Sequence, residues 1–216
     1  MDPGIDVPDP KKSVRAGFAE LLAAIRHCAQ HELTTPALML VYSAIDIAGW
    51  LDATTEKPPG ERFRGWVERY LLPAQPTLEC TAEDLWGARC GLVHTMSPDS
   101  HQSAKGVARR IYYSVGDSSS APLQEMLEIF RAVTTQLVEL QALPPIPTDI
   151  VMVRVNDLVS AFQVAVDRFL TEVEADPHRV DQLLQKAMQV FMTLSDEDVR
   201  ARVNWARGKL RDIELS

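Results

Sequence analysis

Arg89 and His94 are the residues of this 216-residue chain whose setting most calls for chemistry. In residues 83–94 (EDLWGARCGLVH), everything after the acidic first turn is apolar or small except these two. A helix apolar around its circumference is buried. A guanidinium buried without a partner is costly, so Arg89 must meet a carboxylate, a polar cleft or an anion. Asp46, the one charged residue in the apolar run 36–51, is its natural partner within the chain. At about 100° per residue, Arg89 and His94 point roughly 140° apart with a rise of about 7.5 Å. One helix therefore presents them awkwardly to a single small target, and two copies would assemble a shared cleft more easily. The alternative is a buried ion pair and a satisfied core histidine at a subunit contact. Gly87, Gly91 and His94 fall at i, i+4 and i+7 on one face. Glycine lets two backbones approach closely there, within the chain or across a two-fold axis, so Gly87 and Gly91 are the candidate dimer contact.

Other residues carry weaker signals. Arg109 and Arg110 beside Ile111-Tyr112-Tyr113 are the one place where basic and aromatic residues interleave. Arg109, Arg110 and Tyr112 could grip RNA through phosphates and stacking; an ordinary amphipathic strand is the alternative. His27 and His31 stand at i, i+4, a metal-holding spacing, but with no third ligand nearby they read as a solvated polar edge. Cys90, among apolar neighbours, reads as an inert core thiol. No phosphate-binding glycine loop, nucleophile elbow or zinc-ligand spacing occurs.

The elements that must position these residues are mainly helical. Residues 1–12, with three prolines, read as a loose arm. Ser13 is expected to cap a helix to about residue 32, with Val14, Phe18, Leu22 and Ile25 inward. Thr34-Thr35-Pro36 open a second, central helix to about residue 53. A short helix follows at 61–71. Thr81 and Asp84 form a capping box for the helix from 82 to about 95. Residues 107–115 and 150–155 read as strands that pair as a small ribbon. Between them, 121–143 reads as a helix with Leu123, Met126, Leu127, Phe130, Val133, Leu137 and Leu140 inward. Further helices are expected at about 156–174, 177–194 and 195–212. The whole is an antiparallel helical bundle of about seven helices, read as one domain over 13–216 in which the helices at 177–212 pack on the body.

Composition narrows the class. Lys and Arg number 22 against 30 Asp and Glu, a formal net charge of −8, which removes an easy case for a nucleic-acid coat protein but not for a local basic site. Within residues 60–110, seven basic residues face six acidic ones, so the acidity lies elsewhere. Three cysteines without paired spacing fit reduced thiols in a cytoplasm. The longest apolar run has 16 residues and contains Asp46, short of a membrane span. The N-terminus lacks a signal-peptide pattern.

Arg89-Cys90-Gly91-Leu92-Val93-His94 resembles the Arg-x4–6-His signature of the HEPN superfamily, helical proteins that often dimerise and include metal-independent endoribonucleases. The context fits: an apolar helix (38–51) precedes, the motif ends a later helix, and the chain is mainly α. The resemblance covers about residues 13–175. A second match, Arg26-x4-His31, lies in a more polar setting on the first helix and is set aside. Family members often have a polar residue after the arginine, where this chain has Cys90. Thr95-Met96 offers no tyrosine of the kind nucleotidylated in toxin-type members. The resemblance implies Arg89 and His94 as catalytic residues, with Asp46 and Thr95 supporting. It implies RNA cleavage by the neighbouring 2′-hydroxyl in a toxin or defence role, a homodimeric site, a protein partner or antitoxin, and no cofactor or metal. Histidine can accept or donate a proton near neutral pH, and arginine stabilises the crowded phosphate oxygens. One histidine per chain is too few for both proton roles, which a dimer solves. The alternative is a non-catalytic dimeric helical scaffold that binds a protein partner or a nucleotide.

Overall fold

Apolar side chains on nearly every side of α2 (Thr34–Asp52) make it the centre of the molecule. In the computed structural model, which describes residues 10–116, 123–140, 149–190 and positions 196, 199, 200, 203, 204 and 207, α2 is packed by its neighbours. These are α1 (Pro10–Gln30), α3 (Pro59–Trp66), α5 (Ala82–Thr95), α8 (Val155–Glu174) and α9 (Pro177–Val190). α3 runs through a π-helical turn, Val67–Leu71, into the short α4 (Leu72–Ala74), and the short α6 (His101–Ala104) follows α5. The chain is mainly α, as the sequence predicts. Among the described residues α2 is the one helix long and apolar enough to cross a membrane; half of its most apolar window is buried inside the protein.

The core beneath α2 is aromatic. Trp66 lies 6.0 Å from Phe162 and 6.3 Å from Phe169, and Tyr70 lies 5.5 Å from Phe169, centroid to centroid, the separations at which tilted rings attract. α1 and α8 run antiparallel, since Arg15 pairs with Glu174 at one end and Arg26 donates to Gln163 at the other. α9 is tied to the C-terminal end of α2. Arg179 donates to Asp52 at 2.6 Å and to the Tyr70 hydroxyl at 3.0 Å, and Lys186 donates to the Trp50 carbonyl at 2.7 Å.

The two strand segments do pair. β1 (Arg110–Ser114) and β2 (Ile150–Arg154) form a two-stranded parallel sheet with Ile111 opposite Val151 and Tyr113 opposite Val153. A parallel pair needs a crossover, and α7 (Leu123–Glu139) lies between them in sequence. The strands are shorter than the runs that predict them, because Val107 and Val115 are exposed.

Two local expectations change. α1 begins at Pro10 rather than after Ser13, since proline's fixed φ and missing N–H suit a first helical turn. On α7 only part of the expected inward set is inward. Leu127 is buried and Phe130 and Leu137 partly so, whereas Met126, Ile129, Val133 and Leu140 are exposed. The helix is apolar on two sides, and the sheet can cover one. Leu123's side chain lies outside the described residues, as does most of the last expected helix, 195–212.

Candidate functional site

α5 is anchored before it presents anything. The capping box is formed: Thr81 Oγ1 accepts from the Asp84 amide at 3.1 Å, and Asp84 Oδ2 accepts from the Thr81 amide at 2.9 Å. Asp84 is also 2% exposed and takes three bonds from Arg109, to its amide (2.7 Å), Nε (3.1 Å) and Nη2 (2.7 Å). Burial would raise this carboxyl, but the bonds from Arg109 and Thr81 outweigh burial and hold it below the usual carboxylate range. Arg109 also donates to the Glu79 carbonyl at 2.9 Å. The expectation that Arg109 grips RNA is therefore corrected, because its guanidinium closes the start of α5. Arg110 is paired with Asp99 at 2.5 Å, and Tyr112 packs on Phe130 of α7 at 5.8 Å. These two do not form an open basic-aromatic surface either.

The far end of α5 stops at Met96, whose left-handed φ of 52° turns the chain back on itself. The returning segment lies on the glycine face. A β-carbon at Gly91 would sit 2.4 Å from the Ser97 carbonyl oxygen and 2.7 Å from that of Asp99, and one at Gly87 would sit 2.9 Å from Ala108 Cβ. The close approach predicted at Gly87 and Gly91 thus occurs within the chain, and the assignment of these glycines to a dimer contact is corrected. Thr95, expected to support the site, instead bonds its hydroxyl back to the Gly91 carbonyl at 2.8 Å. The stripe Trp86, Arg89, Cys90 and Val93 remains partly open on α5.

On that stripe the central constellation assembles. Arg89 places both Nε and Nη2 at 2.8 Å from Asp46 Oδ2, so α2 and α5 are joined by the pair their two isolated charges predict. Arg89 Nη1 lies 3.4 Å from His94 Nε2. A guanidinium only donates, so this long contact is a hydrogen bond only where the imidazole accepts at Nε2. The five-residue spacing does not keep the side chains apart: arginine's length spans the angle within one chain. The guanidinium carbon also stands 5.3 Å over the Trp86 ring, a cation–π contact. Trp86, one turn before Arg89, is a positioning residue that the search for polar groups passes over; the i, i+3 spacing is the signal that would find it.

The site is neither sealed nor bare. The side chains of Arg89 and Asp46 keep 21% and 26% exposure, and His94 is exposed. Burial raises the Asp46 carboxyl above its ordinary range, and the opposing pull of Arg89 and Arg62 does not cancel that. The Cys90 thiol is likewise pushed up by burial, as expected of an inert cysteine. Two of Arg89's five N–H groups are held by Asp46, which leaves an edge able to bind an oxyanion beside a group able to exchange a proton. The exposed His27 and His31 rings lie 4.4 Å apart and tilted at the end of α1, and no group of three metal-ligating side chains gathers among the described residues. Comparison with protein-family models, with curated proteins and with solved structures finds no match in any of the three.

Proposed function

We propose that this protein cleaves RNA without a metal, at a site built on Arg89 and His94. The observation that supports the reading best is the 3.4 Å approach of Arg89 Nη1 to His94 Nε2 at a solvent-facing end of α5, with Asp46 holding the rest of the guanidinium. In the reaction, an imidazole takes the proton of a 2′-hydroxyl while its oxygen bonds to the adjacent phosphorus. The bond from phosphorus to the 5′-oxygen breaks, and that oxygen receives a proton from a second imidazole. Arg89 supports the negative charge on the phosphorane. The second imidazole is the His94 of another copy, brought in across the partly open stripe of α5 rather than the covered glycine face. The products are a 2′,3′-cyclic phosphate and a 5′-hydroxyl, and DNA is not a substrate. The family resemblance of the Arg-x4-His stretch points the same way and brings with it the toxin or defence role.

The test is cleavage of single-stranded RNA in excess chelator by the wild type and by His94→Ala. Cyclic-phosphate ends made by the wild type and not by the variant support the reading. Equal rates for both sink it. A second reading, a helical scaffold that docks a protein partner, is favoured by the exposed apolar residues Met126, Ile129, Val133 and Leu140 of α7. It predicts no cleavage by either protein.

A further inference from the structure

We propose that Gly60, on α3 and outside the Arg–His motif, is a positioning residue of this site: its missing side chain lets the Trp86 indole lie where it steers Arg89 Nη1 towards His94. The inference rests on the cleavage reading only for its kinetic consequence. Nε and Nη2 of Arg89 are tied to Asp46, but a guanidinium held along one edge can still tip about that edge. The Trp86 ring, with the guanidinium carbon 5.3 Å over its centroid, sets the tilt. The tilt in turn sets the reach of Nη1, which lies 3.4 Å from His94 Nε2.

The indole is itself gauged by α3. A β-carbon on Gly60 would stand 3.0 Å from Trp86 Cε2 and 3.1 Å from Cζ2, inside the roughly 3.5–4.0 Å of an ordinary carbon contact, so one side has to yield. α3 is the fixed side. The Arg62 carbonyl oxygen lies 2.8 Å from where a β-carbon of Gly49 on α2 would stand, Phe63 is fully buried, and Arg64 pairs with Glu83 at 3.3 Å. Trp86 is partly exposed and is the movable side. Its ring already meets that of buried Phe63 at 5.3 Å between centroids, and a packed core resists further entry. A methyl group at residue 60 therefore displaces the indole by a few tenths of an ångström, and Arg89 with it. Gly65, on the same helix, supplies the control: a β-carbon there meets nothing within 4 Å.

The experiment compares Gly60→Ala with Gly65→Ala, each also combined with Trp86→Phe, whose smaller ring lacks the edge that residue 60 meets. Both alanines favour the helix alike, so the difference between them reads the contact. The Arg89 Nε–H resonance in proton–nitrogen NMR, identified by its loss in Arg89→Lys, reports the guanidinium through the indole's ring current. It should move in Gly60→Ala and stay in place in Gly65→Ala. In the Trp86→Phe background, adding Gly60→Ala should leave it where Trp86→Phe alone puts it. On single-stranded RNA, Gly60→Ala should lower kcat roughly threefold to tenfold, as a misplacement below about 1 Å implies, with KM nearly unchanged. Gly65→Ala should match the wild type. An unmoved resonance in Gly60→Ala overturns the inference, as does an equal movement in Gly65→Ala or one that persists in full beside Trp86→Phe. So does a melting temperature of Gly60→Ala far below the wild type's, since α3 has then yielded in place of the indole. If the resonance moves as expected but the wild type cuts no RNA, the positioning of Arg89 stands and the cleavage reading falls. If it moves while kcat is unchanged, the cleavage reading stands and Gly60 loses its part in it.

Discussion

Asp84→Asn and Asp46→Asn exchange the same atom in the two Asp–Arg pairs of α5, and the surroundings assign them opposite outcomes. Asp84 Oδ2 accepts three N–H groups, from Thr81 and from Arg109 Nε and Nη2, while Oδ1 accepts the Arg109 amide. An amide in either orientation aims its own protons at those donors. Breaking a buried pair in this way costs about 3–5 kcal/mol, or a melting temperature lower by roughly 6–20 °C for a chain of this size. Asp46 is a quarter exposed and already opposed by burial. Its loss therefore costs about 1 kcal/mol at most, a shift within about 4 °C.

The pH dependence carries the sign. The Asp84 carboxyl sits below its unfolded value of about 3.9, so its stabilisation is complete above that value and is lost as pH falls through the lower folded one. The gap between wild type and Asp84→Asn should be full at pH 7 and narrow in acid below about pH 4. The Asp46 carboxyl is raised, so its charged form opposes folding increasingly as pH climbs from about 3.9 through the folded value. Asp46→Asn should therefore gain on the wild type between pH 3 and pH 7. Thermal melts followed by circular dichroism across that range read both effects. Asp84→Asn melting within about 3 °C of the wild type at pH 7, or Asp46→Asn falling as far as Asp84→Asn, would refute the reasoning.

Two further outcomes are expected. Gly91→Ala should lose about 1–3 kcal/mol in chemical denaturation, because its β-carbon meets backbone carbonyls of Ser97 and Asp99 rather than a yielding side chain; it should do so at every protein concentration, since the contact lies within one chain. The buried Cys80 thiol is pushed up by burial to about 12, so alkylation at pH 8 should modify half-exposed Cys28 first, Cys90 more slowly, and Cys80 only after unfolding.

Much of the architecture is legible in the sequence because single residues carry it. The all-round apolarity of 36–51 marks the central helix, Thr81 and Asp84 mark the start of α5, and two charges isolated on apolar helices find each other. The misplacements share one cause: a local pattern states a need without naming what meets it. Gly87 and Gly91 announce a close approach, but only the left-handed turn at Met96 decides that the chain's own return segment makes it. Arg109 looks free beside its tyrosines because the carboxylate that claims it is 25 residues earlier. On α7, two apolar stripes at helical spacing leave the choice of inner face to the sheet beneath.

The charge balance limits how an RNA-cleaving site on this chain can operate. A net charge of −8 gives no long-range attraction for a polyanion, and most arginines around the site are neutralised by their own carboxylates. With Arg89 as the remaining donor, a single strand meets about one phosphate contact per copy, a salt slope of only about −0.7. Binding of that kind is weak and tolerant of sequence, so catalytic effectiveness must come from geometry. The Asp46 pairing is then intelligible despite its electrostatic cost. It fixes one edge of Arg89 before any substrate arrives, leaves Nη1 aimed at His94, and spares the transition state the reorganisation of a flexible side chain.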